Sequence, residues 1–271
     1  MTWPSPDKVV TTAKGYVTPD GPFPRVTTIL KVLGLGSEAL IRWAADLERT
    51  AVLEAAEHVY AHGSHGGPEE FRAAVESQVG KERQHQRKLT KAADIGSSIH
   101  AMIQWTLKGE LGENPGPKPF MPDEATWAFM AWKSWWAGSG LKPYRIEQPV
   151  WDRELGYAGT VDLIAHGPNG LEVWDWKSGK GIYESYHLQT TAYIHACCNW
   201  EPVTGGGIVR VPKVIGDPDV EVKRIGDMTY DYRDRSGKRV QGGRVVEHAE
   251  LLEAFRSTKR LYDLFLKGRE A

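Results

Sequence analysis

Apolar positions along this chain change their spacing near residue 144, where a wholly helical part gives way to one that also carries strands. Before it the period is helical. Ile29, Leu30 and Leu33, then Leu40, Trp43, Leu47, Val52 and Ala55, recur at three- and four-residue intervals to about Tyr60, which places them on one helix face. Two or three helices are expected, with Thr27 and Thr28 as caps. A Gly/His/Ser break follows from His62 to Pro68. A second helical stretch then runs from Glu69 to Lys108, with an interruption near Thr90 to Gly96. Gly109 to Pro122 is a loop by composition, and Trp127, Trp132, Trp135 and Trp136 mark a helix from Asp123 to Gly138 whose aromatic spacing favours core packing over stacking on bases. Ahead of all this, Met1 to Pro24 is rich in Pro, Thr and Gly and reads as an irregular arm.

From Tyr144 the apolar positions alternate. Ile146 and Gln148, Val161 to Ala165, and Leu171 to Lys177 read as three strands. A helix from Glu184 to Ala196, strands at Gly207 to Val211 and Val220 to Ile225, and a last helix from Glu247 to Lys267 complete an α/β pattern. In that last helix Leu251, Leu252, Phe255, Leu261, Leu264 and Phe265 are expected on one side, with acids early and bases late as the helix dipole favours. One compact domain is expected: an N-terminal helical region (1–95), a core (96–230) and a C-terminal helix (245–269).

Composition narrows the classes. At 271 residues, 41% hydrophobic and 25% charged, the chain can bury a sizeable core, and wholesale disorder is excluded. No apolar run approaches the roughly 20 residues that cross a bilayer, and Met1 to Asp7 lacks the layout of a signal peptide, so a cytoplasmic protein without membrane contact is expected. Cys197 and Cys198, adjacent in sequence, can build neither a disulfide framework nor a four-thiolate cluster. The net charge of -1 gives no sign of a nucleic-acid partner, so any such affinity must come from a local basic groove.

The chemistry concentrates in Gly156-Tyr-Ala-Gly159-Thr-Val-Asp162-Leu-Ile-Ala, the turn His166-Gly-Pro-Asn-Gly170, and Leu-Glu-Val-Trp174-Asp175-Trp176-Lys177-Ser178-Gly179-Lys180. The turn joins two strands into a hairpin that sets Asp162 and Asp175 roughly opposite each other, within one residue of register. Alternation then puts Asp175 and Lys177 on one face and Trp174 and Trp176 on the other, where they can be buried. Two carboxylates beside a lysine suit phosphodiester hydrolysis. Hard oxygen ligands hold Mg²⁺ (or Mn²⁺), and Lys177 can orient or help deprotonate the attacking water and offset transition-state charge. The backbone carbonyl of Trp176 can serve as a further ligand.

Asp162, Asp175-Trp-Lys177 and Gln189-x-x-x-Tyr193 together resemble the motif series of the PD-(D/E)xK nucleases in their RecB-like, phage-exonuclease branch. Gly159-Thr-Val-Asp162 matches the strand that carries the first acid, and Asp175-Trp-Lys177-Ser178-Gly179 the second motif. Gly96-Ser-Ser-Ile-His100 is similar to the family's helical histidine motif, and the match covers about Gly96 to Ala196. The resemblance implies a restriction-endonuclease-like core: a central mixed sheet flanked by helices, with an N-terminal helical region. It also implies that His100, Asp162 and Asp175 bind metal, that Lys177 is catalytic, and that Gln189 and Tyr193 line the site. The activity implied is a metal-dependent DNA exonuclease of phage recombination or DNA processing, with a single-strand annealing recombinase as a conceivable partner. The alternatives are a structure-specific endonuclease or a catalytically silent DNA-binding module. An iron-sulfur cluster, found in some relatives, is not expected, since the four cysteines are missing.

Each residue also has a plainer reading. A lone histidine on an amphipathic helix is more often a boundary residue than a ligand, and Gln189 with Tyr193 can simply pack at a sheet edge. Glu147 can orient a water or a second metal as readily as it can be a surface strand acid. Lys81 to Lys91 holds five bases and one acid. Its Arg83, Arg87, Lys88 and Lys91 fit phosphate contacts as well as a solvated face, and Ser178 and Lys180 are further candidates for the DNA backbone.

Overall fold

The computed structural model describes residues 2–34, 37–63, 66–212, 220–226, 228–233 and 239–267. Within the stretch expected to be an irregular arm, residues 10–23 form a sheet instead. β1 (Val10–Thr12), β2 (Gly15–Thr18) and β3 (Gly21–Phe23) form an antiparallel sheet whose turns close at the pairs Thr12↔Gly15 and Thr18↔Gly21. Gly15 is required there, because a Cβ would lie 2.2 Å from the Phe23 carbonyl oxygen. Strands this short cannot display a period, and the legible signal was the turn tripeptide Pro19-Asp20-Gly21. α1 (Val26–Leu30) begins after Arg25, so Thr27 and Thr28 lie inside it rather than capping it.

The backbone gathers into two units, Met1–Leu33 with Ser98–Ala271, and Gly34–Ser97. The smaller is helical. In it α2 (Ser37–His62) packs on α3 (Pro68–Val79) through Ala55, Val59 and Val75. α4 (Gln84–Glu110) starts in this unit and continues unbroken through the expected interruption at Thr90 to Gly96. One interior glycine costs a helix only about 1 kcal/mol. The actual break is at Gly80, whose φ of 77° ends α3.

The larger unit is built on a five-stranded sheet. After α5 (Asp123–Gly138) come β4 (Lys142–Asp152), β5 (Tyr157–Gly167), β6 (Gly170–Lys177), α6 (Glu184–Cys197), β7 (Val203–Arg210) and β8 (Glu221–Arg224), with the strands in the order β4-β5-β6-β7-β8. All neighbours are antiparallel except β6 and β7, which α6 connects as parallel strands, the connection such a pair needs. The sheet is therefore mixed and flanked by helices.

Each face has its own core. Trp174 and Trp176 meet α5, with Trp132 in edge contact with Trp176 at 5.9 Å and Trp135 against Trp174 at 5.7 Å. Trp132 and Trp136 are buried, as expected, while Trp127 is exposed. Another core joins Val161, Ile164 and Val173 of the sheet to Leu188 and Ala192 of α6, Ile29 of α1, and Phe255 of α7 (His248–Phe265). Glu247 and Glu250 form a capping box at the start of α7. Leu261, Leu264 and Phe265 are exposed rather than on its buried side, which runs through Leu251, Phe255, Thr258 and Tyr262 at intervals of three and four. A hairpin of β9 (Met228–Arg233) and β10 (Arg239–Val246), without a recognised sequence signal, precedes α7. No helix among the described residues is long and apolar enough to cross a membrane.

His187, on α6, is 3% exposed. Burial, with a smaller push from the Lys223 ammonium, lowers its pKa to about 4, below the usual 6.5 or so of a free imidazole. The native state thus favours the neutral ring. Stability from this residue is intact above pH 6.5 and falls as pH drops through the window to about 4, by at most about 3 kcal/mol. Urea midpoints measured across that window should fall in the wild type and flatten in His187→Gln.

Candidate active site

The acids arise where β4 and β5 face each other. The pairs Ile146↔Leu163 and Gln148↔Val161 bracket Glu147 and Asp162, which sit opposite each other in the interval between them. Glu147 has a φ of 49° there, the single positive-φ residue other than glycine among the described residues. A left-handed glutamate costs about 1–2 kcal/mol, and such strain concentrates at working sites. Across the next ladder Leu163 pairs with Trp174, so Asp162 and Asp175 are neighbours on adjacent strands. Asp162 Oδ2 accepts the Trp176 amide at 2.8 Å.

α4 brings His100 to these strands. Its Nδ1 lies 3.7 Å from Asp162 Oδ2, and donor atoms of His100, Glu147 and Asp162 all fall within 4.8 Å of one another. Glu147 thus joins the group, a role its sequence position left open. Burial, with the Asp162 carboxylate adding to it, raises the Glu147 carboxyl to about 7; Lys108 opposes the shift and Asp175 reinforces it. An imidazole with crowded carboxylates in need of positive charge is a donor set that fits a hard divalent cation. Lys108 lies two i+4 steps beyond His100 on the same helix, the signal that could have marked it.

Asp175 and Lys177 form a separate, adjoining pair. Lys177 Nζ lies 2.6 Å from Asp175 Oδ2 and donates to Gln189 Oε1 at 3.1 Å. The Gln189 amide donates to Asp175 Oδ1 at 3.2 Å and to the Tyr193 hydroxyl at 3.1 Å. α6 follows β6 directly, so its i, i+4 face lies along this pair. Burial would lower the Lys177 pKa, but the carboxylates of Asp175 and Asp162 outweigh it and raise it. At neutral pH the group is an ammonium, suited to holding negative charge rather than to taking a proton. Asp175 is pushed upward by burial and pulled back by that ammonium.

Gly159 has a visible purpose. A Cβ on it would sit 2.3 Å from the Tyr193 ring, so only glycine lets Tyr193 reach Gln189. Tyr16 of β2 also reaches this strand, its hydroxyl 2.9 Å from Thr160 Oγ1.

Ser178 is half-buried and Lys180 exposed just after Lys177, while Arg83, Arg87, Lys88 and Lys91 are exposed in the helical unit, where Arg87 pairs with Glu82.

An imidazole, acids on paired strands and a lysine two residues after the last acid, set on a mixed sheet between helices, define a nuclease of restriction-endonuclease-like fold. The chain belongs to the PD-(D/E)XK nuclease superfamily, whose family model matches residues 67–262. No curated protein matches it.

Substitutions at two positions test this geometry. Glu147→Gly should be more stable than Glu147→Ala by about 1 kcal/mol in urea unfolding, because glycine relieves the left-handed backbone. Both should weaken Mn²⁺ binding by at least about tenfold in calorimetric titration, the size of loss that even outer-shell changes produce. Gly159→Ala should lose about 1–3 kcal/mol of stability through overpacking against Tyr193, and DNA cleavage should fall well beyond any loss of folded protein.

Proposed function

We propose that this chain is a Mg²⁺- or Mn²⁺-dependent deoxyribonuclease that degrades DNA from its ends. The observation that supports it most is the convergence of His100, Glu147 and Asp162 beside the Asp175–Lys177 pair. His100, Asp162 and Asp175 would hold the metal, with Glu147 and the Trp176 carbonyl as further ligands. The bound cation would supply Lewis-acid polarisation of the phosphate and a more acidic water. Lys177, kept as an ammonium and aimed by Gln189 and Tyr193, orients the attacking water and offsets the charge that builds on the phosphoryl oxygens. Water adds to phosphorus as the P–O3′ bond breaks, leaving a 5′-phosphate and a 3′-hydroxyl. Ser178, Lys180 and the basic residues Arg83, Arg87, Lys88 and Lys91 are proposed contacts to the DNA backbone.

The preference for ends and a role in phage recombination beside a strand-annealing recombinase rest on the resemblance of the motif series to RecB-like and phage exonucleases, while action in the cytoplasm is proposed from the cysteine usage of the sequence. Linear end-labelled duplex with Mg²⁺ should be degraded and closed circular DNA spared; cleavage of both makes the enzyme an endonuclease. EDTA should abolish turnover, and Lys177→Ala should lower it by about 10²-fold or more. Undiminished cleavage by Lys177→Ala would falsify the mechanism.

A further inference from the structure

We propose that Tyr183 and Tyr186 form a stacking platform for an unpaired nucleobase, adjoining the nucleotide whose phosphate reaches Lys177; this rests on the nuclease reading of the site. Lys177 Nζ lies 4.7 Å from the centre of the Tyr186 ring, and Tyr183 meets Tyr186 in a T-shaped contact at 5.4 Å. One face of Tyr186 is thereby given to the ammonium. Whichever ring supplies the edge in the tyrosine pair, at least one face of Tyr183 stays uncovered by Tyr186. Tyr183 is 47% exposed, and its extended backbone at the start of α6 sets it on the rim rather than in the core.

Position selects the occupant. Other aromatic side chains are exposed, Phe120 and Tyr60 among them, but the Tyr183–Tyr186 pair adjoins the amine that faces the scissile phosphate. The exposed Lys180, in the loop between that amine and the platform, adds positive charge for the same strand. A phosphate at Lys177 carries its nucleoside with it, and an aromatic ring at that distance stacks on a base only if the base is unpaired from the partner strand and unstacked from its neighbours. Aromatic platforms accept any base, since every base has a π-face. The platform therefore makes the enzyme tolerant of sequence and selective for single strands or frayed ends.

The test uses the full chain and fluorescein-labelled single-stranded oligonucleotides, with anisotropy read in EDTA so that nothing is cleaved. Tyr183→Ala should weaken binding to the natural oligonucleotide about tenfold, within the range that stacking on one base supports. It should leave binding to an abasic oligonucleotide of the same length unchanged, and Tyr183→Trp should restore wild-type affinity. In cleavage assays Tyr183→Ala should raise KM on single strands while kcat holds. Equal losses on natural and abasic DNA, no loss on either, or failure of tryptophan to restore binding overturns the platform. A wild type that binds with this base dependence but never cleaves leaves the platform standing and removes the nuclease reading instead.

Discussion

Negative charge held out of water is the constraint on which the site depends. Glu147, Asp162 and Asp175 come together on two neighbouring ladders, and burial together with mutual repulsion drives Glu147 and Asp175 upward from ordinary carboxylate behaviour. Lys177 answers part of that charge through its contact with Asp175. The Glu147–Asp162–His100 group is left short of positive charge, and a divalent cation is the natural complement to its donors. The same shortage keeps Lys177 protonated, which favours a role in orientation and charge stabilisation over one as a base.

Holding such a cluster takes work from the rest of the sheet. A tryptophan layer between β6 and α5 anchors the strand that carries Asp175 and Lys177, since Trp174 and Trp176, which alternate with those two residues along the strand, are buried on the opposite face. On the near side Gln189 bridges acid and amine and is itself tied to Tyr193, and Gly159 leaves the space Tyr193 needs. Glu147 sits in a backbone conformation that only such surroundings maintain. Rigidity of this kind keeps charged groups in place without reorganisation when the transition state forms.

Family membership and geometry agree on a nuclease, and they agree for different reasons. Membership rests on a match across residues 67–262, whereas the geometry shows which side chains meet and in what charge state. The proposed action on ends and on single strands concerns the rim of the site, where Tyr183 and Lys180 stand exposed.

By itself the sequence determined the local features. Alternation placed Asp175 and Lys177 on one face with their tryptophan neighbours on the other; helical period located α5 and α6 to within a residue or so; and the Pro168-Asn169 turn set Asp162 beside Asp175. These follow from backbone geometry over a few residues, so a pattern can carry them. The N-terminal sheet escaped because its three- and four-residue strands are shorter than any readable period, and the exposure of Leu261 and Leu264 escaped because apolar content does not reveal which stripe of a helix meets a neighbour. Tertiary structure alone decided that Glu147 joins His100 and Asp162, which come from three elements, and that Lys177 remains charged. Both depend on distances and burial created only when separate elements pack, and no one-dimensional pattern encodes the solvent they exclude.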